Sequence, residues 1–231
     1  MKQLSATKIK WQEYLEYFSL KLAILLLIID SLFILSHGIY WLTETNLINF
    51  PLSKVFMHKD LLPITEDQGY PEFFQYIKEL WIALLLGFGY WQRKNLLFLA
   101  WSLLFSYLLL DDALIIHEKI GARFSHLFTD SFGLRSIDYG EVLISAIVGM
   151  FFLILIKWGY SQSSSVERKY CKFLILFLLA LALVGIVFDL MHVIFMDNYY
   201  LNVIFALLED GGEHIVMSFT LAFVYKINWQ Y

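Results

Sequence analysis

Apolar and polar residues alternate along this chain in long blocks. Apolar stretches fall near residues 20–43, 75–92, 95–118, 140–160, 171–196 and 203–227, with shorter polar stretches between them. A helix rises 1.5 Å per residue, so about 20 apolar residues cross the roughly 30 Å hydrocarbon core of a bilayer. The pattern predicts an all-α fold: a polytopic membrane helical bundle of about six transmembrane helices, forming a single domain over 20–231. The second stretch is the shortest, and Gly87 and Gly89 near its end would allow close helix packing. Ahead of the first stretch, Trp11, Tyr14, Leu15 and Phe18 recur at helical spacing while Lys8, Lys10, Glu13 and Glu16 take other faces. Residues 1–19 therefore read as an amphipathic helix on the membrane surface. No small-residue cleavage site follows the first apolar run, which reads as a retained span. Residues 44–74 contain all three prolines, Pro51, Pro63 and Pro71, and read as an ordered, non-helical outer loop. Residues 161–170, which open with a serine-rich run, read as a flexible polar connector.

Composition agrees with the blocks. The chain is 59% hydrophobic and only 16% charged, with a mean hydropathy of +0.64; a soluble domain carries about a quarter charged residues. The 18% of aromatic residues gather near the expected interfaces. A formal net charge of −4 and a pI near 5.8 argue against a nucleic-acid partner. One cysteine, Cys171, excludes an internal disulfide. Lys and Arg place both termini on the cytoplasmic side, with Arg93, Lys94, Lys157, Arg168, Lys169 and Lys226 inside and Lys54, Lys59, Lys78, Lys119, Arg123 and Arg135 outside. The expected location is a cell membrane, the bacterial inner membrane, with membrane lipid as the surrounding partner.

The chemistry lies in three places where these blocks turn polar. Asp111, Asp112, His117 and Glu118 end the third stretch; Asp189 and His192 lie near the end of the fifth; Glu209, Asp210, Glu213 and His214 lie in the first half of the sixth. With alternating spans, all three fall at one depth, in the outer half of the membrane, joined by Glu141 and His37. Inverting the topology inverts them together. On a continuous helix Asp111 and Glu118, seven apart, share a face with Tyr107, and Asp112 and His117 point to the flanks. Gly211 and Gly212 either admit another backbone or loosen their helix.

Ionisable residues inside a membrane are costly unless paired, hydrated or metal-bound. A mixed carboxylate and imidazole set suits a divalent transition metal: zinc, iron or manganese. Asp111, His117, Asp189, His192, Glu213 and His214 are the expected metal ligands, with Glu118, Glu209 and Asp112 as candidate catalytic bases. Innocent readings apply nearby. His37 reads as a satisfied interior histidine, His58 and His126 as solvated loop residues, and Glu141 also as a helix N-terminal charge. Asp30, alone in mid-span, could pair with a neighbouring Tyr or Trp.

The segment from Leu110 to Glu118, Leu-Asp-Asp, four residues, then His-Glu, resembles a pattern in uncharacterised bacterial multi-pass membrane proteins. In those, a later span opens with a Glu-rich turn, as Glu209-Asp210-Gly211-Gly212-Glu213 does here. The resemblance implies a membrane bundle and brings no activity with it. Membrane hydrolases of the alkaline ceramidase and progestin-receptor type are similar in holding zinc with Asp and His inside a helical bundle. This chain lacks their paired His-x-x-x-His and has one span fewer, so they supply a chemical precedent only. The expected function is a metal-binding integral membrane protein, a metal-dependent hydrolase or oxidoreductase acting on a lipid-like, membrane-soluble substrate. A cation or proton transporter and a structural or sensor membrane subunit are the alternatives. No phosphate-binding loop, no Gly-x-Ser-x-Gly nucleophile motif and no haem-attachment motif occurs.

Overall fold

The computed structural model describes residues 2–44, 61–66 and 68–228, and the side chains of these from Ser19 onward except Glu44. The side-chain pattern expected over 1–18 and most of the loop expected at 44–74 lie outside what is described. All regular elements among the described residues are helical: α1 (Lys2–Glu44), α2 (Tyr70–Arg93), α3 (Leu96–Leu114), α4 (Ile116–Phe124), α5 (Ser136–Ser161), α6 (Ser165–Ala182), α7 (Asp189–Ile194) and α8 (Tyr199–Asn228). Six residues of π-helix, Leu183–Phe188, join α6 to α7 without a break.

Local chemistry explains boundaries that differ from the expected ones. α2 starts at Tyr70 because Pro71 sits in its first turn, where a missing N–H costs nothing. The expected loop therefore ends before residue 70. The serine-rich connector is a helix cap. Ser164 Oγ accepts from the Glu167 backbone N–H at 3.4 Å, and Glu167 Oε2 accepts from the Ser164 N–H at 2.8 Å, so α6 starts at once. At the start of α3, Asn95 Oδ1 accepts from the Leu97 N–H at 2.9 Å.

Among the described residues, four helical stretches are long and apolar enough to cross a membrane: Ser19–Thr43, Leu96–Leu114, Ser136–Ser161 and the continuous Ser165–Ile194. α2 and α8 are long, at 24 and 30 residues, but carry charged residues within them. In α2 the charges face inward: Lys78 and Glu79 are fully buried, while Ile77, Leu80, Trp81 and Leu84 are exposed. The other helices show the same inside-out arrangement, with Leu32 and Leu35 of α1, Met150 and Ile154 of α5 and Leu176 and Leu179 of α6 all exposed. The interior core joins Ile82 and Leu86 of α2 to Trp101, Leu104 and Phe105 of α3. It continues through Met217, Leu221 and Val224 of α8 and Leu174 of α6.

Between apolar helices in lipid, association depends on close packing and on polar pairs, because the surroundings are as apolar as the side chains. Both are present. α5 is held at each end by glycine. A methyl group at Gly140 would lie 2.2 Å from the Gly121 carbonyl oxygen of α4, and one at Gly159 would lie 2.7 Å from the Leu97 Cα of α3. The polar pair joins three helices. Lys78 of α2 donates to Asp30 Oδ1 of α1 at 3.0 Å and to the His214 carbonyl of α8 at 2.8 Å, and stands 3.0 Å from His214 Nδ1. Those acceptors use all three ammonium protons. Ser218 Oγ, also on α8, donates to Asp30 Oδ2 at 2.5 Å. Asp30, Lys78 and Ser218 have no exposed surface.

Breaking one side of a buried ion pair leaves a naked charge, at a cost of about 3–5 kcal/mol, whereas replacing both partners by neutral groups is often close to neutral. Lys78→Met and Asp30→Asn should each lower stability by about that amount, and the double variant should recover most of the loss. Unfolding in mild detergent, followed by circular dichroism across this double-mutant cycle, checks it; additive losses would refute the pairing.

Candidate functional site

The break between α3 and α4 sets up one side of the site. Leu114 ends α3, and Ile115 takes φ 55° and ψ 51°, a left-handed conformation that β-branched residues rarely adopt. The turn folds α4 back on the end of α3. Asp111 Oδ1 accepts from the His117 backbone N–H at 2.8 Å, Asp111 Oδ2 lies 3.0 Å from His117 Nδ1, and the Tyr107 hydroxyl donates to Oδ1 at 3.3 Å. The expectation that Asp111 and Glu118 share a face of one continuous helix is therefore corrected. The helix ends between them, and the partner of Asp111 is His117.

A cavity of about 360 Å³ opens at this end of the bundle. Asp111 and Asp112 from the end of α3, His117 and Glu118 from α4, and Glu141 from α5 line it. Asp189 from α7 and Glu209, Asp210, Glu213 and His214 from α8 complete the wall, and Ile64 to Glu66 close one side. Ten of the lining residues are carboxylates, against one arginine, Arg135. Arg135 is already engaged, at 2.6 Å from Asp138 Oδ1, and that partner holds the guanidinium even above its ordinary range. Eight of the nine residues singled out from the sequence reach this one space.

The ninth, His192, stands beside it. His192 Nδ1 lies 3.5 Å from Glu209 Oε2, and one ligand atom each from Asp189, His192 and Glu209 lie within 4.8 Å of one another. Asp189 and His192 share a face of α7 at i, i+3, as their spacing requires. The π-helical turn before them aims that face at α8. Gly185 in this turn receives Glu213: a methyl group there would lie 2.1 Å from Glu213 Oε1. Gly212 faces Val184 and Gly211 faces Ile34 in the same way, so the glycine pair admits neighbours and α8 runs on unbroken.

His214 is placed apart from His192. It belongs with Lys78 and Asp30, stacked on Phe74 with ring centroids 6.4 Å apart. Two residues of this region were not singled out beforehand. Lys78, counted with the outer charges, is the buried partner of Asp30. Glu79 is also fully buried, and among the described residues no N–H or hydroxyl donor reaches either of its carboxylate oxygens. The Asp112 carboxyl lies against it. Two carboxyls in contact need a proton or a cation between them. The available signal was a Lys-Glu pair inside an apolar stretch that also had to satisfy a mid-span Asp30.

His117 lies outside the spans and is titratable in the accessible range. Burial pulls its pKa down from 6.5, but the hydrogen bond and charge of Asp111 outweigh this and raise it. A histidine with a raised folded-state pKa stabilises the fold fully below its unfolded value and loses that contribution as pH rises through the folded one. Thermal stability should therefore decline from pH 6.5 upward by an Asp111-dependent amount. In Asp111→Asn the His117 midpoint, read by nuclear magnetic resonance of labelled histidine, should fall by about one unit or more.

No curated protein and no solved structure matches the chain. A family model does: the one described as a domain of unknown function, DUF8692, matches residues 25–227. That range holds every residue of the cavity and of the Lys78 network, and the chain belongs to this family.

Proposed function

We propose that this is a six-span membrane protein with both termini on the cytoplasmic side. On this reading it holds a divalent transition metal in an outward-facing acidic cavity and uses it on a membrane-soluble substrate. Support for six spans comes from α2 and α8, whose charged residues face inward while Ile77, Leu84, Ile204 and Phe219 face out. Support for the orientation comes from Arg93, Lys94, Arg168 and Lys169, all at the end of the bundle opposite the cavity.

The observation that carries the metal reading is the convergence of Asp189, His192 and Glu209. An imidazole nitrogen and two carboxylate oxygens suit zinc, iron or manganese. Ligand bonds of about 2.0–2.2 Å set neighbouring donors about 3.3–3.6 Å apart in a tetrahedral site, and the His192–Glu209 separation of 3.5 Å matches. Glu209, expected as a base, belongs to the ligand set on this reading. When bound, the ion supplies Lewis-acid chemistry and an acidified water. Asp112 and Glu118 then serve as proton acceptors on the opposite wall, and His117, held by Asp111, as a proton donor. His214 is engaged by Lys78 and is not needed as a ligand.

A second reading draws on one observation. The contact of His214 with Lys78 and Asp30, and of Asp30 with Ser218, carries polar groups from the cavity wall towards the middle of the bundle, as a proton or cation path requires. Ion flux in proteoliposomes that disappears in Asp30→Asn would favour it over the enzyme.

Protein purified in mild detergent without chelator should carry about one equivalent of a transition metal. His192→Ala and Glu209→Ala should lose it, and His214→Ala should keep it. Elemental analysis decides. Unchanged metal in His192→Ala, or no metal even after zinc is added back, overturns the reading.

A further inference from the structure

A second cavity, of about 320 Å³, lies beneath the acidic one. Its character is opposite. Leu104 and Leu108 of α3, Val148 and Phe152 of α5, and Leu178 and Ala182 of α6 line it. The two adjoin, because Asp111, Asp112, His117, Gly185 and Glu213 belong to both walls. An apolar slot thus ends at an acidic chamber, within helices whose outer faces are apolar.

The shape has a cause. α5 is pressed against α4 at Gly140 and against α3 at Gly159, and between those points it stands off. A methyl group at Gly149, on the slot wall, would meet no atom within 4 Å. α5 and α6 barely touch along their length. In a membrane this leaves the slot facing the bilayer between the two helices.

We propose that this slot receives the hydrocarbon chain of a single-chain amphiphile from the bilayer and so delivers its polar end to the acidic chamber. The charge of the chamber restricts that polar end. A wall rich in carboxyl groups, whose arginine is already paired with Asp138, disfavours an anionic head and suits an uncharged or cationic one. The substrate class is then a long-chain alcohol, amine or similar lipid. The inference rests on the reading of the acidic chamber as the place where the polar end is held, and not on the identity of the metal.

The test uses the full chain in phosphatidylcholine nanodiscs and three photoactivatable probes with a diazirine in mid-chain: hexadecanol, hexadecylamine and hexadecyl sulfate. Crosslinked residues are mapped by mass spectrometry. The alcohol and the amine should label α3, α5 and α6 around Leu108, Phe152 and Leu178, in preference to the outer faces at Met150 and Leu176. The sulfate should label the slot weakly. Gly149→Trp fills the slot, and losing the burial of two or three methylenes lowers affinity by about tenfold or more. Labelling there should fall by that factor, while Gly149→Ala, whose methyl group has room, should label as the parent does. Leu178→Trp, an independent obstruction from α6, should repeat the loss even if Gly149→Trp fails to fold.

Labelling spread evenly over exposed apolar residues, or unchanged by either tryptophan, overturns the proposal. Equal labelling by the sulfate overturns the assignment of the polar end. Transition-metal content measured on the same samples separates the two readings. Metal without slot labelling defeats this inference and leaves the metal centre standing. Slot labelling without metal upholds this inference and removes the metal.

Discussion

A lysine ammonium and an aspartate carboxylate, both closed off from solvent, are the constraint on which the rest of the bundle depends. Neither charge is tolerable alone in an apolar interior. Asp30 on α1 must be met by Lys78 on α2, and the remaining protons of Lys78 must be met by α8, which supplies the His214 carbonyl and ring nitrogen. The requirement therefore fixes the rotation of three helices about their own axes. Once α8 is turned so that His214 meets Lys78, Glu209 and Glu213, five and one residues earlier on the same helix, are carried to the cavity. Site and scaffold follow from one set of contacts.

Glycines then shape the space. Each marks a place where a neighbour is allowed in: Gly140 and Gly121 where α4 crosses α5, Gly159 against Leu97, Gly212 against Val184, Gly185 against Glu213. Gly149, midway along α5, has nothing opposite it. The alternation of tight and open positions along α5 leaves an apolar slot between two points of contact, and one polar and one apolar volume meet across a shared wall.

Much of this was legible in the residues. Long apolar blocks gave the helices, and the clustering of acids and histidines at the ends of alternate blocks gave the common depth at which they meet. What could not be read was local. Nothing about Ile115 announces a left-handed turn, because isoleucine is among the residues least suited to one, so Asp111 seemed to belong with Glu118 rather than His117. The π-helical turn at Leu183–Phe188 is written in ordinary apolar residues that fit an α-helix equally well. Lys78 looked like an interfacial charge because a lysine fully enclosed by apolar helices is rare, and only the position of Asp30 on a different helix gives it a reason to be there. Pro71, taken as part of a loop, begins a helix.

The π-helical turn carries a consequence for the length of the chain. It holds one more residue per turn than the α-helix on either side. The face presented by Asp189 and His192 is set by that surplus. With one residue removed from Leu183–Phe188 the turn can close as α-helix and keep that face, whereas one removed elsewhere in α6 would rotate everything beyond it by about 100°, swinging both side chains away from Glu209 while leaving an unbroken apolar helix. Elsewhere in α6 the composition tolerates exchange of one apolar residue for another. The count of residues along this helix, more than their identity, is what the site requires.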